Sequence, residues 1–406
     1  MKGSNLQISH QCPQCGAPAL LAETDRMFTC AYCRVSVCLR PRKFFHYRLP
    51  LGSPAREGLL YFPYWRFKGM LFSAGPAGVA HRLVDISRQA HPHHGFPVSL
   101  GFRPQALRLR FVLPETPGHF VRPSLPLEEA TGLSTERRGC RQSPLDAQIG
   151  ESVSLIYAPF YIGQKLIDGV LERSVGGGLA QNLGTGELPG GPPQGGVDFL
   201  AAVCPACSWD LEGARASAAL VCRGCRRVWQ PGPAGLANVA CAHPAGAAGS
   251  RHLPFWRIAA DIRGLARSLA EILGALPADP AGPSENGCRL QVWVPAFKLR
   301  PKTFLRLTGQ LTFAPPREDL ADGAPAGACQ PVSLPAGEAV ESLPIHLANR
   351  LAGLPGWVTP WPPALRVSAA DRLLVYLPFQ QTAHDLVHHS GQIAINRQEL
   401  AHSDAL

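Results

Sequence analysis

The residues best equipped for chemistry are eight cysteines in four Cys-x-x-Cys pairs: Cys12 and Cys15, Cys30 and Cys33, Cys204 and Cys207, Cys222 and Cys225. In each half of the chain fourteen residues separate one pair from the next. Two residues between cysteines permit a tight turn that aims both thiolates at one point. Four thiolates suit a tetrahedral metal ion, with Zn–S distances of about 2.3 Å. The pattern predicts two Zn²⁺ ions per chain, with iron as the rival because it also accepts four thiolates.

The elements that must position these ligands are short. Fourteen residues make a strand, a turn and a returning strand. A unit of that size buries too little to fold alone, so the metal supplies much of its folding free energy. The constellation resembles the zinc ribbon, the rubredoxin-like ribbon of transcription factors, ribosomal proteins and many bacterial proteins. The resemblance covers about 25 residues per copy and implies two tandem ribbons. Gly16 follows the first pair as in that family; Ser208 stands there in the second copy, and Arg34 and Arg226 follow the return pairs.

Around the ribbons the composition favours strands and turns. Glycine (41) and proline (40) make up a fifth of the 406 residues, apolar residues 46% and charged residues 17%. The expected class is mostly β or α+β: two zinc ribbons, each followed by a small β-rich domain. The expected boundaries are a first ribbon with its basic connector at 1–48, a β-rich domain at 49–175, a Gly/Pro linker at 176–198, a second ribbon at 199–230 and a second β-rich domain at 250–406.

The two halves echo one another. Tyr61-Phe62-Pro63-Tyr64-Trp65-Arg66-Phe67 is answered by His252-Leu253-Pro254-Phe255-Trp256-Arg257-Ile258. The alternating strand ending in Phe111-Val112-Leu113-Pro114 is answered by Leu290 to Pro295, and Leu155 to Phe160 by Leu373 to Phe379. This order predicts an internal duplication. Trp65-Arg66-Phe67-Lys68 reads as a half-buried strand with its cations outward, the tryptophans as core, and Arg66 and Arg257 as cation–π partners of those rings. Only the second half inserts a helical spacing, at Ile262, Leu265, Leu269, Ile272 and Leu273, ended by Pro277.

The net charge is +10, and it is concentrated: fourteen Lys/Arg stand against Glu57 and Asp85 between Arg26 and Arg110. Arg34, Arg40, Arg42, Lys43 and Arg48, interleaved with Phe44, Phe45 and Tyr47, are therefore candidates for contact with nucleic acid or an acidic partner. The same strip suits peripheral contact with a membrane. No apolar leader is expected in the first ten residues and no spanning helix anywhere. Cys38, Cys140, Cys241, Cys288 and Cys329 are scattered and odd in number, which fits the reducing cytoplasm rather than a disulfide framework.

Other motifs read as bland. His91, His93 and His94 suit a surface loop. His384 and His388 are spaced for one helix face but have no counterpart in the first half. No phosphate loop and no nucleophile elbow is present. The sequence thus points to a non-catalytic, zinc-binding adaptor that contacts other proteins in a larger assembly. The alternatives are nucleic-acid binding through 26–110 and electron transfer by iron-loaded ribbons.

Overall fold

Apolar residues at every second position turn one face of a strand into a core, and most of this chain is built that way. The computed structural model describes residues 6–41, 43–75, 78–131, 145–163, 165–175, 188–193, 196–245, 251–263, 287–352, 366–389 and 393–402. Among them strands predominate over helices, which is the mostly β, α+β class expected. They fall into two compact units: 1–68, 84–137 and 151–201 form one, and 69–83, 138–150 and 202–406 the other.

The strands of the first half are β1 (Gln7–Gln11), β2 (Pro18–Ala22), β3 (Met27–Thr29), β4 (Ser36–Pro41), β5 (Phe45–Arg48), β6 (Leu59–Gly75) and β7 (Gly78–Gln89). They continue with β8 (Arg108–Phe111), β9 (His119–Val121), β10 (Leu145–Ile162), β11 (Leu166–Asp168), β12 (Gly190–Gly191) and β13 (Val197–Ala201). Two short helices interrupt them, α1 (Arg103–Ala106) and α2 (Leu127–Thr131). The main sheet runs β12-β9-β6-β10-β5-β8-β1-β2, with β7 beside β6 and β11 beside β10, and a smaller sheet runs β13-β4-β3. Residues 197–201, at the edge of the predicted linker, thus form a strand on the first ribbon, Phe199 opposite Leu39. In β8 the expected alternation holds: Leu109 and Phe111 are buried, Arg108 and Arg110 exposed.

Strand β6 departs from its expected half-buried character. Arg66 and Lys68 are buried along with Tyr61, Phe62, Tyr64 and Phe67. Arg66 is held inside by ion pairs to Glu23, 3.3 Å away, and to Asp85. It is therefore not the cation–π partner of Trp65. A buried guanidinium needs carboxylates around it, and both carboxylates reach it here.

The second half contributes β14 (Leu211–Glu212), β15 (Leu220–Cys222), β16 (Val228–Gly232), β17 (Gly235–Val239), β18 (Cys241–Pro244), β19 (Arg251–Arg263) and β20 (Gly287–Pro295). Then come α3 (Pro301–Phe313), β21 (Leu320–Asp322), α4 (Ala336–Glu341), α5 (Leu343–Leu351), β22 (Arg366–Gln381), β23 (Asp385–His388), β24 (Ala394–Asn396) and α6 (Arg397–Ala401). The ribbon sheet is β14-β15-β16-β17, and the larger sheet is β20-β19-β22-β18-β21 with β23 on β22 and β24 on β23. Ile262, taken above as the first residue of a helix, lies in β19 opposite Cys288 and Val367. The remainder of that predicted helix lies outside the described residues. The core of this unit gathers Phe255, Trp256, Phe297, Phe304, Tyr376 and Phe379, with Met70, Phe72 and Ile149 from the first half.

The duplication is visible in hydrogen bonds. The Ala90 amide donates to the Pro63 carbonyl at 3.0 Å, as the Ala296 amide does to Pro254 at 3.0 Å. Leu125 and Leu334 donate back to Ala90 and Ala296, both at 3.0 Å. Trp65 Nε1 donates to the Leu125 carbonyl at 2.8 Å and Trp256 Nε1 to Leu334 at 2.9 Å. Strand β10 pairs with β5 in parallel, as β22 does with β18. These matches correct one pairing: the counterpart of β20 is β7, not the strand near Leu113. Ser124-Leu125-Pro126 and Ser333-Leu334-Pro335 are a sequence signal of the same duplication; the different loop lengths between the halves hide it from a search at fixed period.

Candidate metal centres

Each four-cysteine cluster is made of two copies of one turn. In the first, the Cys12 amide donates to the Ala17 carbonyl at 2.8 Å and the Gly16 amide to the Cys12 carbonyl at 2.9 Å. The same pair of bonds recurs from Cys30 to Val35 and Arg34, from Cys204 to Trp209 and Ser208, and from Cys222 to Arg227 and Arg226. Closing the turn drives the residue after the second cysteine into the left-handed region. Gly16, Arg34, Ser208 and Arg226 have φ of 73°, 61°, 60° and 59°. The departures from glycine noted above therefore leave the turn unchanged.

The turns bring the thiols together in pairs across each ribbon. Cys12 and Cys33 Sγ lie 3.7 Å apart, as do Cys15 and Cys30. In the second cluster Cys204 and Cys225 are 3.6 Å apart, and Cys207 and Cys222 3.4 Å. All four ligand atoms of each cluster lie within 4.8 Å of one another. A tetrahedron with metal–sulfur bonds of about 2.3 Å has sulfur–sulfur edges of about 3.8 Å. The cross-ribbon edges are within about 0.4 Å of that length and no edge exceeds 4.8 Å, so the donor set suits a single four-coordinate ion in each.

The electrostatics fit as well. The Cys33 amide, with that of Tyr32, points at Cys30 and brings its thiol down to about 6. Burial pushes Cys204 up, but the amides of Ala206 and Cys207 outweigh it and leave that thiol at about 6. Each cluster thus has one thiol ready to ionise first, and a cation is what lets the rest follow. Cys12, Cys30, Cys204 and Cys222 are buried, whereas Cys15, Cys33 and Cys207 reach the surface. Beside each cluster stands an exposed aromatic ring, Tyr32 at 69% and Trp209 at 62% exposure.

The described basic candidates differ in their surroundings. Arg34 and Lys43 are exposed, Lys43 over the Phe44 ring at 5.6 Å. Arg40 is ion-paired to Asp198 at 2.8 Å, and Arg48 is half-buried against Tyr61. Arg42 lies outside the described residues. Trp65 and Trp256 are buried, as core strands require. His91, His93 and His94 lie in the loop after β7, where Gln89 Nε2 donates to the His93 carbonyl at 2.9 Å. Cys38 and Cys241 are buried, burial pushing each thiol up to about 11. Cys329 is partly buried, and Cys140 lies outside the described residues. The pair His384 and His388 is not brought together, because the segment is a strand and not a helix. His388 instead lies beside His389 and Glu318, two residues the spacing did not single out.

These features define two four-cysteine clusters of one design, each able to hold a metal ion. No protein-family model matches the chain, and no curated protein or solved structure is significantly similar to it. Among the described residues no helix is long and apolar enough to cross a membrane.

Proposed function

We propose that the protein is a non-catalytic, zinc-stapled adaptor that docks other proteins through the lips of its two ribbons. The observation that carries this reading is the exposed ring at each cluster, Tyr32 and Trp209, on turns that the cluster holds in place. Large aromatic rings on rigid loops supply contact area at low entropic cost, and Trp and Tyr are enriched among the residues that anchor protein interfaces. Zinc is favoured over iron as the resident ion because the role is structural and closed four-thiolate sites suit it. Eight thiolates reserved for metal ask for a reducing compartment, which supports a cytoplasmic location for this adaptor.

The test is native purification of the tagged full chain, followed by metal analysis and identification of what accompanies it. The expected result is two zinc ions per chain, a colourless protein and a partner in defined ratio. That partner should be lost from the Tyr32→Ala/Trp209→Ala variant while both metals stay. A partner retained by that variant, or none at all, would set the docking role aside. Binding to DNA or RNA that weakens log-linearly with salt would favour the nucleic-acid reading instead.

A further inference from the structure

In the second unit, well away in sequence from the eight cysteines, Glu318, His388 and His389 converge. One ligand atom from each lies within 4.8 Å of the other two. His389 Nε2 is 2.7 Å from Glu318 Oε1, and the two imidazole rings are 4.1 Å apart at their centres. We propose that these three residues form a third metal site, an open one with two nitrogen donors and one oxygen donor, suited to Zn²⁺.

The site is built on fixed backbone. His388 ends β23, where Phe379 pairs with it from β22, and its amide donates to the Ile393 carbonyl at 2.9 Å. Glu318 sits just ahead of β21, which pairs with β18 from Leu320 to Asp322; the Asp319 carbonyl accepts from Ala245 at 2.8 Å. The two histidines are neighbours at a strand end, where the regular alternation of faces stops and both rings can serve one point.

An ordinary surface ion pair does not account for the arrangement. That pair needs only His389 and one oxygen of Glu318. The other oxygen, Oε2, is buried and meets no hydrogen-bond partner, and the buried His388 ring completes the cluster. A carboxylate oxygen left unsatisfied costs free energy that a divalent ion would recover. Donors at about 2.1 Å from zinc stand about 3.4 Å apart in a tetrahedron, so the His389–Glu318 edge must open by about 0.7 Å and the others close by at most about 1.4 Å. His389 is 49% exposed and Glu318 26%, which leaves both free to make these shifts. Three protein ligands leave a fourth position for water, the arrangement of reactive or exchangeable zinc rather than of the closed thiolate clusters. Among the described residues of the first half no equivalent cluster occurs.

The test uses the full chain, loaded with Zn²⁺ and counted by native mass spectrometry. Wild type is expected to bind three ions, and the Glu318→Gln and His389→Gln variants two. A mild chelator should remove the third ion first. With Co²⁺ the third ion should add visible d–d bands without a further sulfur-to-metal band. The two thiolate-bound ions report on folding in every sample. Glu318→Gln keeps the shape of the side chain and His389→Gln alters an exposed ring, and each should weaken the third site at least tenfold. A wild type that binds only two ions, or a third ion held with unchanged affinity by both variants, overturns the proposal.

Discussion

At the scale of single residues, four positions set the geometry of both clusters. Gly16, Arg34, Ser208 and Arg226 share a left-handed φ, and only the glycine adopts it without a side-chain clash. The side chains at the other three are tolerated because two backbone hydrogen bonds hold each turn closed. Replacing Ser208 or Arg226 by glycine should raise the stability of the metal-loaded protein by up to about 1 kcal/mol, since the left-handed cost for other residues is about 1–2 kcal/mol and glycine's extra entropy takes part of it back. Gly16→Val should lower it by a similar amount or more. Denaturant unfolding at saturating zinc measures both; a glycine variant that loses stability would show that the Arg or Ser side chain contributes something beyond the turn.

At the scale of elements, the repeated unit is a strand clamped by a tryptophan. In β6 and in β19 the indole N–H donates to a leucine carbonyl in a Ser-Leu-Pro segment, and that segment leads into a short helix. The Ala130 amide donates to Pro126 at 2.9 Å and the Ala339 amide to Pro335 at 3.1 Å, so the helix starts match too. Trp65→Phe and Trp256→Phe each remove one donor and leave a leucine carbonyl, half-buried at Leu125 and buried at Leu334, without it, at a cost of about 1–3 kcal/mol. The expectation is a similar loss in both, read from urea midpoints of the full chain. A loss confined to one variant would mean that the clamp kept its structural weight in one half only. The ribbon is the other repeated element. Chelation should speed hydrogen exchange at the amides of Cys12, Cys30, Cys204 and Cys222, which close the turns, while amides of β19 and β22 stay protected.

At the scale of the whole molecule, the charge state of half-buried histidines ties stability to pH. Burial pushes His346 down to about 3 and His46 down to about 4, against an ordinary value of 6.5. Above 6.5 both folded and unfolded chains carry these rings neutral, and nothing is lost. Below it the unfolded chain takes up protons that the folded chain refuses. Stability therefore falls as pH drops from 6.5 toward the folded values, by up to about 1.4 kcal/mol per pH unit for each ring. His346→Leu should flatten that decline between pH 6.5 and 4, and urea unfolding of variant and wild type at matched pH values measures it. An unchanged slope would place the acid sensitivity elsewhere, for example in the metal clusters.

What the amino-acid order determined by itself is whatever depends on near neighbours. Two Cys-x-x-Cys pairs fourteen residues apart specify a cluster because turn, thiol and return strand all lie within one short stretch. Alternation specified strands such as β8, and short echoes around Pro63-Tyr64-Trp65 and Pro254-Phe255-Trp256 revealed the duplication. Tertiary structure alone decided what depends on register between distant strands. It buried Arg66 by bringing Glu23 and Asp85 to it, made β7 the counterpart of β20, committed Arg40 to Asp198, and carried Glu318 to the end of β23. The physical reason is range: a turn is closed by bonds a few residues long, whereas the pairing of remote strands is chosen by the sum of many weak contacts that no single stretch of sequence contains.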